Sequence, residues 1–262
     1  MKNKIIATIL SVALISGSSG ALARERDHHK RSDNQNFSHG KKYNKSTWKV
    51  FYIGVNKAKF NRTRFNEDFS TLKLIMVCRI DKMKNPDHGV LISKILNEKY
   101  NIKTELTILG NGEYEEDLRK FIIENNSEPY VNLKGFSKDP YETLKKSHLF
   151  LVLSWWEAFS LSALESVACG IPVISYNVKG GFLDWFRDSN CGLVTSENTP
   201  EKVAEEISLL YKDKKRILQY SDNATEMTEK FDMSVKAREM VEFYKEVISK
   251  PRHSPQVEVE LK

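Results

Sequence analysis

The sequence predicts an α/β fold built on a doubly wound parallel sheet, and three observations support this. Short, largely apolar segments alternate with helical segments from residue 72 onward. Turns rich in glycine or polar residues close the strands. No repeat of fixed period runs through the chain, which excludes a solenoid. The 262 residues, 40% apolar and 29% charged, suffice for one domain with extensions or two small ones.

The elements follow in order. TWKVFYIGVN (47–56) alternates apolar and polar residues up to a glycine turn. LKLIMVC (72–78) is a strand apolar but for Lys73, and residues 87–99 read as a helix. TELTILG (104–110) is a second strand closed by the turn GNG. The helix at 113–125 carries acids in its first turn, which suits the positive end of its dipole. YVNLKG (130–135) is the third strand, 140–146 a short helix and LFLVLS (149–154) the fourth strand. A helix over 160–168 leads to the strand IPVISYN (171–177), a Gly-Gly turn and the short strand GLVT (192–195). Amphipathic helices at 200–211, 214–227 and 233–248 complete the domain, with disorder expected over the last dozen residues.

The usual strand order for such a sheet, 3-2-1-4-5-6, sets the first and fourth strands side by side. Ligands bind outside the carboxyl ends of the strands at that switch point. The loops RIDKMKNP (79–86) and SWWEAFS (154–160) therefore line one crevice. Arg79 and Lys84, with Lys82 between them, make an anion site there. The competing reading of this loop is a solvated lysine-rich turn. Glu157 lies across the crevice, and the backbone amides of Phe159, Ser160 and Leu161 open the next helix. Leu161, Leu164 and Ala168 mark that helix's apolar stripe, and Glu165 falls on or beside it. A buried carboxylate costs several kcal/mol without a partner, so either a salt bridge or a ligand hydroxyl must compensate. Basic groups, amides and carboxylates in one crevice suit a phosphorylated, polyhydroxylated ligand such as a sugar nucleotide.

Residues 48–250 resemble the carboxyl-terminal, donor-binding half of the retaining family 4 glycosyltransferases, two-domain GT-B enzymes of the glycosyl transferases group 1 class. VFYIGVNKAKF, RIDKMKN, ILGNGEYEEDL, VNLKGF, EAFSLSALE (157–165) and ACGIPVI match family segments in order. The resemblance implies transfer of a hexosyl-type sugar, with retention, from a UDP- or GDP-linked donor. The acceptor would be a saccharide or lipid-linked saccharide, as bacterial surface-polysaccharide assembly requires, and no metal or other cofactor is implied. Arg79 and Lys84 would neutralise the diphosphate and stabilise it as leaving group. Glu157 would bind the transferred sugar, making these three the catalytic set. Glu165 would bind the ribose, Gly135 and Phe136 would pass the base, and Phe159, Ser160 and Leu161 would place amides near the donor. Three positions depart from the family pattern: Ile53 replaces Asn, Ser160 replaces Gly, and Phe182-Leu183 replaces Pro-Glu. For the acceptor-binding half three explanations stay open: a separate polypeptide supplies it, the gene is truncated or fused, or the domain is kept for binding alone. The alternative is a non-catalytic nucleotide-sugar-binding module or a truncated remnant.

The first 23 residues, with a basic start, the apolar run IIATILSVALI and Ala-x-Ala before Arg24, read as a signal peptide or short anchor. Residues 24–47 read as a disordered basic tail; residues 24–49 hold eight Lys or Arg against three acids. This tail is solvated or touches an anionic membrane surface, and without interleaved aromatics it does not suit nucleic acid. The three scattered cysteines fit a reducing compartment, so the leader points to export while the cysteines and donor chemistry point to the cytoplasm or its membrane face. His148 is expected to end a helix rather than catalyse, and Trp155 and Trp156 to pack under their loop as readily as to touch ligand.

Overall fold

The computed structural model describes residues 51–56, 59–60 and 65–249; the expected leader, basic tail and final dozen residues lie outside them. Six parallel strands form one sheet: β1 (Leu72–Val77), β2 (Thr104–Leu109), β3 (Val131–Gly135), β4 (Leu149–Val152), β5 (Val173–Ser175) and β6 (Gly192–Val194). Their order is β3-β2-β1-β4-β5-β6, the usual order expected of a doubly wound sheet. β1 pairs with β2 from Leu72↔Thr104 to Val77↔Leu109, and with β4 through Leu74↔Leu149 and Ile75↔Phe150. Every residue of β4 and β5 is buried, because helices cover both faces of a parallel sheet. Truncating Leu74 or Ile75 to alanine would cost about 2–5 kcal/mol.

The helices are α1 (Pro86–Glu98), α2 (Glu115–Glu124), α3 (Tyr141–Leu144), α4 (Leu161–Ala168), α5 (Phe182–Phe186), α6 (Pro200–Lys212), α7 (Lys214–Lys230) and α8 (Met233–Ser249). α1 begins at a proline, whose missing N–H costs nothing at that position, and packs on β2 and α6. α6 starts the same way, with Thr199 accepting from the Lys202 amide at 3.3 Å as its cap. α4 packs between the sheet and α7.

Two details differ from expectation. Leu161 is 42% exposed, whereas Ala163, Leu164, Val167 and Ala168 are buried. The helix starts at Leu161, so that side chain lies beyond the end of the sheet and the buried stripe begins at Ala163. The Gly-Gly segment leads into α5, a five-residue helix not foreseen, which buries Phe182, Leu183, Trp185 and Phe186.

The segment ahead of β1 meets the junction of α7 and α8. Val55 donates to Phe231 O at 2.9 Å, and Met233 donates to Val55 O at 2.9 Å. Tyr52 stacks on Phe159 at 5.7 Å, so this junction reaches the start of α4.

Candidate functional site

The loops leaving β1 and β4 are bonded together. Trp155 donates to Met83 O at 2.9 Å, and Asn85 Nδ2 donates to Leu153 O at 2.8 Å. Two neighbouring turns brace them. Gly110, at φ +143°, passes so close to β1 that a Cβ would sit 1.8 Å from Cys78 O. Beyond it, Ile80 donates to Asn111 O at 2.9 Å, so the GNG turn holds the start of the Arg79–Asn85 loop.

Within that loop Asp81 caps the 3-10 turn Lys82–Lys84, accepting from the Lys84 amide through Oδ1 at 3.1 Å. Its other oxygen, Oδ2, accepts from Arg79 Nε at 2.5 Å. The Asp81 side chain is buried, while Arg79 is 67% exposed. Lys84 turns into the crevice and donates from Nζ to Glu157 Oε1 at 2.6 Å. Ser154 Oγ also donates to Glu157 Oε1, at 3.4 Å. Burial pushes the Cys78 thiol up to about 12; nearby Lys84 opposes the shift, and Asp81 and Glu157 add to it. The thiol is therefore no nucleophile at neutral pH.

Glu157 is fixed by backbone as well as by charge. Its amide donates to Lys179 O at 2.8 Å, and its carbonyl accepts from Phe182 at 3.2 Å. Gly180, at φ +108°, lies against it so tightly that a Cβ would stand 2.2 Å from Glu157 O. The Gly-Gly turn is the wall that holds the carboxylate toward Lys84.

Ser160 caps α4 in the left-handed conformation, φ 58° and ψ 75°, and its side chain makes no cap hydrogen bond. That backbone favours glycine, so serine at this position is strained. The carbonyl of Phe159 accepts from Trp185 Nε1 at 2.9 Å, which anchors the approach to the helix. The amides of Leu161, Ser162 and Ala163 open the helix and have no intrahelical partner.

Glu165 lies in the second turn of α4, half-buried. Among the described residues its carboxylate makes no hydrogen bond or ion pair, so the salt-bridge alternative is absent there. Desolvation raises its pKa; Lys59 opposes that and Asp139 adds to it. Those two neighbours form their own pair at 3.7 Å. Gly135, at φ 73°, adds no bulk to its surroundings, and its carbonyl accepts from Gly110 at 2.8 Å. Phe136 beyond it is 66% exposed.

The structure thus brings Arg79, Lys84 and Glu157 to one end of the sheet. Glu165 belongs to a second group with Lys59 and Asp139, on the side of the turn after β3. Among the described residues no three His, Cys, Asp or Glu side chains are placed to hold a metal ion. His148 is a packing residue: it is fully buried, accepts from the Lys73 amide through Nδ1 at 2.8 Å and stacks on Phe69 at 4.7 Å. Trp155 and Trp156 are 49% and 43% exposed, and Trp155 still makes ring contacts with His88 at 6.2 Å and Tyr176 at 6.5 Å. Sequence reasoning missed Asp81, although an aspartate three residues before Lys84 carries the spacing of a turn cap. It also missed Ser154, Lys59 and Asp139; the last two come together only through the fold.

Over 170 residues the chain is 31% identical to N-acetylgalactosamine-N,N'-diacetylbacillosaminyl-diphospho-undecaprenol 4-alpha-N-acetylgalactosaminyltransferase of Campylobacter jejuni, covering 65% of this chain and 46% of that protein. It is 30% identical over 159 residues to poly(glycerol-phosphate) alpha-glucosyltransferase of Bacillus subtilis, covering 61% of this chain and 24% of that protein. The chain therefore spans less than half the length of these relatives. The solved structure of HepE from Anabaena, in complex with UDP, has the same fold, with a TM-score of 0.64 at 18% identity, over 75% of this chain and 57% of that one. The model of glycosyl transferases group 1 matches residues 57–227, well over half of the sequence, and the chain belongs to that family.

Proposed function

We propose that the domain is the donor-binding half of a retaining glycosyltransferase that uses a UDP- or GDP-linked sugar. The observation that carries this reading is the Lys84–Glu157 pair with Arg79 beside it, where the loops after β1 and β4 meet. An ammonium has three N–H donors, so Lys84 can hold Glu157 and still present hydrogen bonds to a diphosphate. Arg79 keeps Nη1 and Nη2 without partners among the described residues, which suits a phosphate fork.

In the proposed reaction the bond between the anomeric carbon and the diphosphate oxygen breaks, and an acceptor hydroxyl oxygen takes its place on the same face, its proton passing to the departing diphosphate. Arg79 and Lys84 stabilise the charge that grows on the leaving diphosphate. Glu157 accepts hydrogen bonds from the transferred sugar. The unpaired Glu165 carboxylate receives the ribose hydroxyls, which supplies the compensation its burial lacks. The names of the two relatives, a diphospho-undecaprenol sugar transferase and a poly(glycerol-phosphate) glucosyltransferase, support a saccharide, polymer or lipid-linked acceptor.

Calorimetric titration of the full chain with UDP, GDP and ADP tests the reading. Binding of one nucleotide, weakened about tenfold or more by Arg79→Ala and by Glu165→Ala, is expected. A folded chain that binds none of the three sinks it.

A further inference from the structure

We propose that Asp81 is a positioning residue for both cations of the crevice: one carboxylate aims the Arg79 guanidinium and pins the turn that carries Lys84. The proposal rests on the nucleotide-site reading above and adds a residue to it. Asp81 poses a physical problem that motivates the idea. A buried carboxylate next to an anion site repels the anion, so its presence there opposes the binding that Arg79 and Lys84 favour.

The geometry shows what offsets that repulsion. The two oxygens act on different partners. Oδ1 accepts from the Lys84 amide at 3.1 Å, and Oδ2 accepts from Arg79 Nε at 2.5 Å. Backbone bonds reinforce the turn, since Lys84 also donates to Asp81 O at 3.1 Å and Asp81 donates to Arg79 O at 3.0 Å. Capping alone would be served by serine, threonine or asparagine. Only a carboxylate caps the turn and also takes a hydrogen bond from a guanidinium with its second oxygen.

The choice of Nε matters. With that nitrogen tied to Asp81, the two terminal nitrogens of Arg79 point away together as a planar fork. Arg79 is otherwise a long and exposed side chain, and ordering it on ligand binding would cost entropy. Asp81 removes part of that cost beforehand. The same carboxylate sets the backbone from which Lys84 reaches Glu157.

Affinities for UDP and UMP, with GDP and GMP in parallel, test the proposal on the full chain carrying Asp81→Asn. Asparagine keeps one oxygen for the Lys84 amide and loses the acceptor for Arg79. The expected result is about tenfold weaker diphosphate binding, with a smaller preference for diphosphate over monophosphate. In an Arg79→Ala background the same change has less than about a twofold effect, because the group it acts through is gone. Asp81→Ser is expected to match Asp81→Asn. Equal loss in both backgrounds, or an unchanged diphosphate preference, overturns the proposal. Failure of both variants to fold assigns the carboxylate to the fold alone and overturns it too. A wild-type chain that binds none of UDP, GDP and ADP overturns the nucleotide-site reading itself, a result distinct from each of these.

Discussion

Lys84 Nζ lies 2.6 Å from Glu157 Oε1, and the two side chains are only 21% and 16% exposed. A pair so far removed from water ties the exit of β1 to the exit of β4. Coulomb attraction there is stronger than at the surface, and so is the penalty for stranding one partner. Lys84→Met or Glu157→Gln alone is therefore expected to cost about 2 kcal/mol in urea unfolding, less than a fully buried pair because some exposure remains. The double variant should cost clearly less than the two single changes together. Additive losses would show that the pair contributes nothing as a pair.

Glu165 makes the opposite prediction for stability. Desolvation is the main cause of its raised pKa, and a group raised in this way destabilises the fold once it ionises. As pH rises past the usual carboxylate range, the unfolded chain releases the proton first, so stability falls until the folded carboxyl ionises as well. Once the folded carboxyl is ionised the whole penalty is present, and Glu165→Gln removes it. The variant should unfold at higher urea than wild type at pH 7, with the gain shrinking below the carboxylate range, while nucleotide binding weakens. A variant less stable than wild type at pH 7 would show that the carboxylate has a partner that compensates for its burial.

The sheet is legible because β1 is apolar apart from Lys73 and β4 is an unbroken apolar run, as a sheet covered on both faces needs, and the strand order follows from the usual order of a doubly wound sheet. That order brings the two loops together, so Arg79, Lys84 and Glu157 could be named from the sequence. Leu161 was misjudged because a helix's first residue follows its periodicity without sharing its neighbours. The segment FLDWF is too short for a helical period to register, and the preceding Gly-Gly pair read as open loop. The contact between Lys59 and Asp139 has no local pattern at all, since it depends on how the segment ahead of β1 lies beside the turn after β3.

Ser160 stores strain without evident return to the fold. Its φ of 58° lies where an L side chain costs roughly 1–2 kcal/mol, and its hydroxyl caps nothing. Glycine relieves that cost but gives back part of it through greater freedom in the unfolded chain. Ser160→Gly is thus expected to raise stability by about 0.5–1 kcal/mol, measured by urea or thermal unfolding. A loss of stability would mean that the serine side chain makes a contribution exceeding the strain.

His148 sets an acid limit on stability. Burial is the largest cause that lowers its pKa from 6.5 to about 4; Lys73 adds to the effect and Asp68 opposes it. Nδ1 is occupied as an acceptor of the Lys73 amide, and Nε2 is buried without a partner among the described residues, so the fold holds the neutral ring. Below the unfolded value the unfolded chain takes a proton that the native chain refuses. Stability therefore falls as pH drops from about 6.5 toward the folded value near 4, by at most about 1.4 kcal/mol per pH unit. Below that range both states carry the proton and the contribution levels off. His148→Asn keeps an acceptor for Lys73 and removes the titration, at the cost of the ring's packing on Phe69. The difference in unfolding free energy between wild type and this variant should favour wild type at pH 7 and shrink steadily toward pH 4. A difference that stays constant with pH would show that His148 does not resist protonation in the fold.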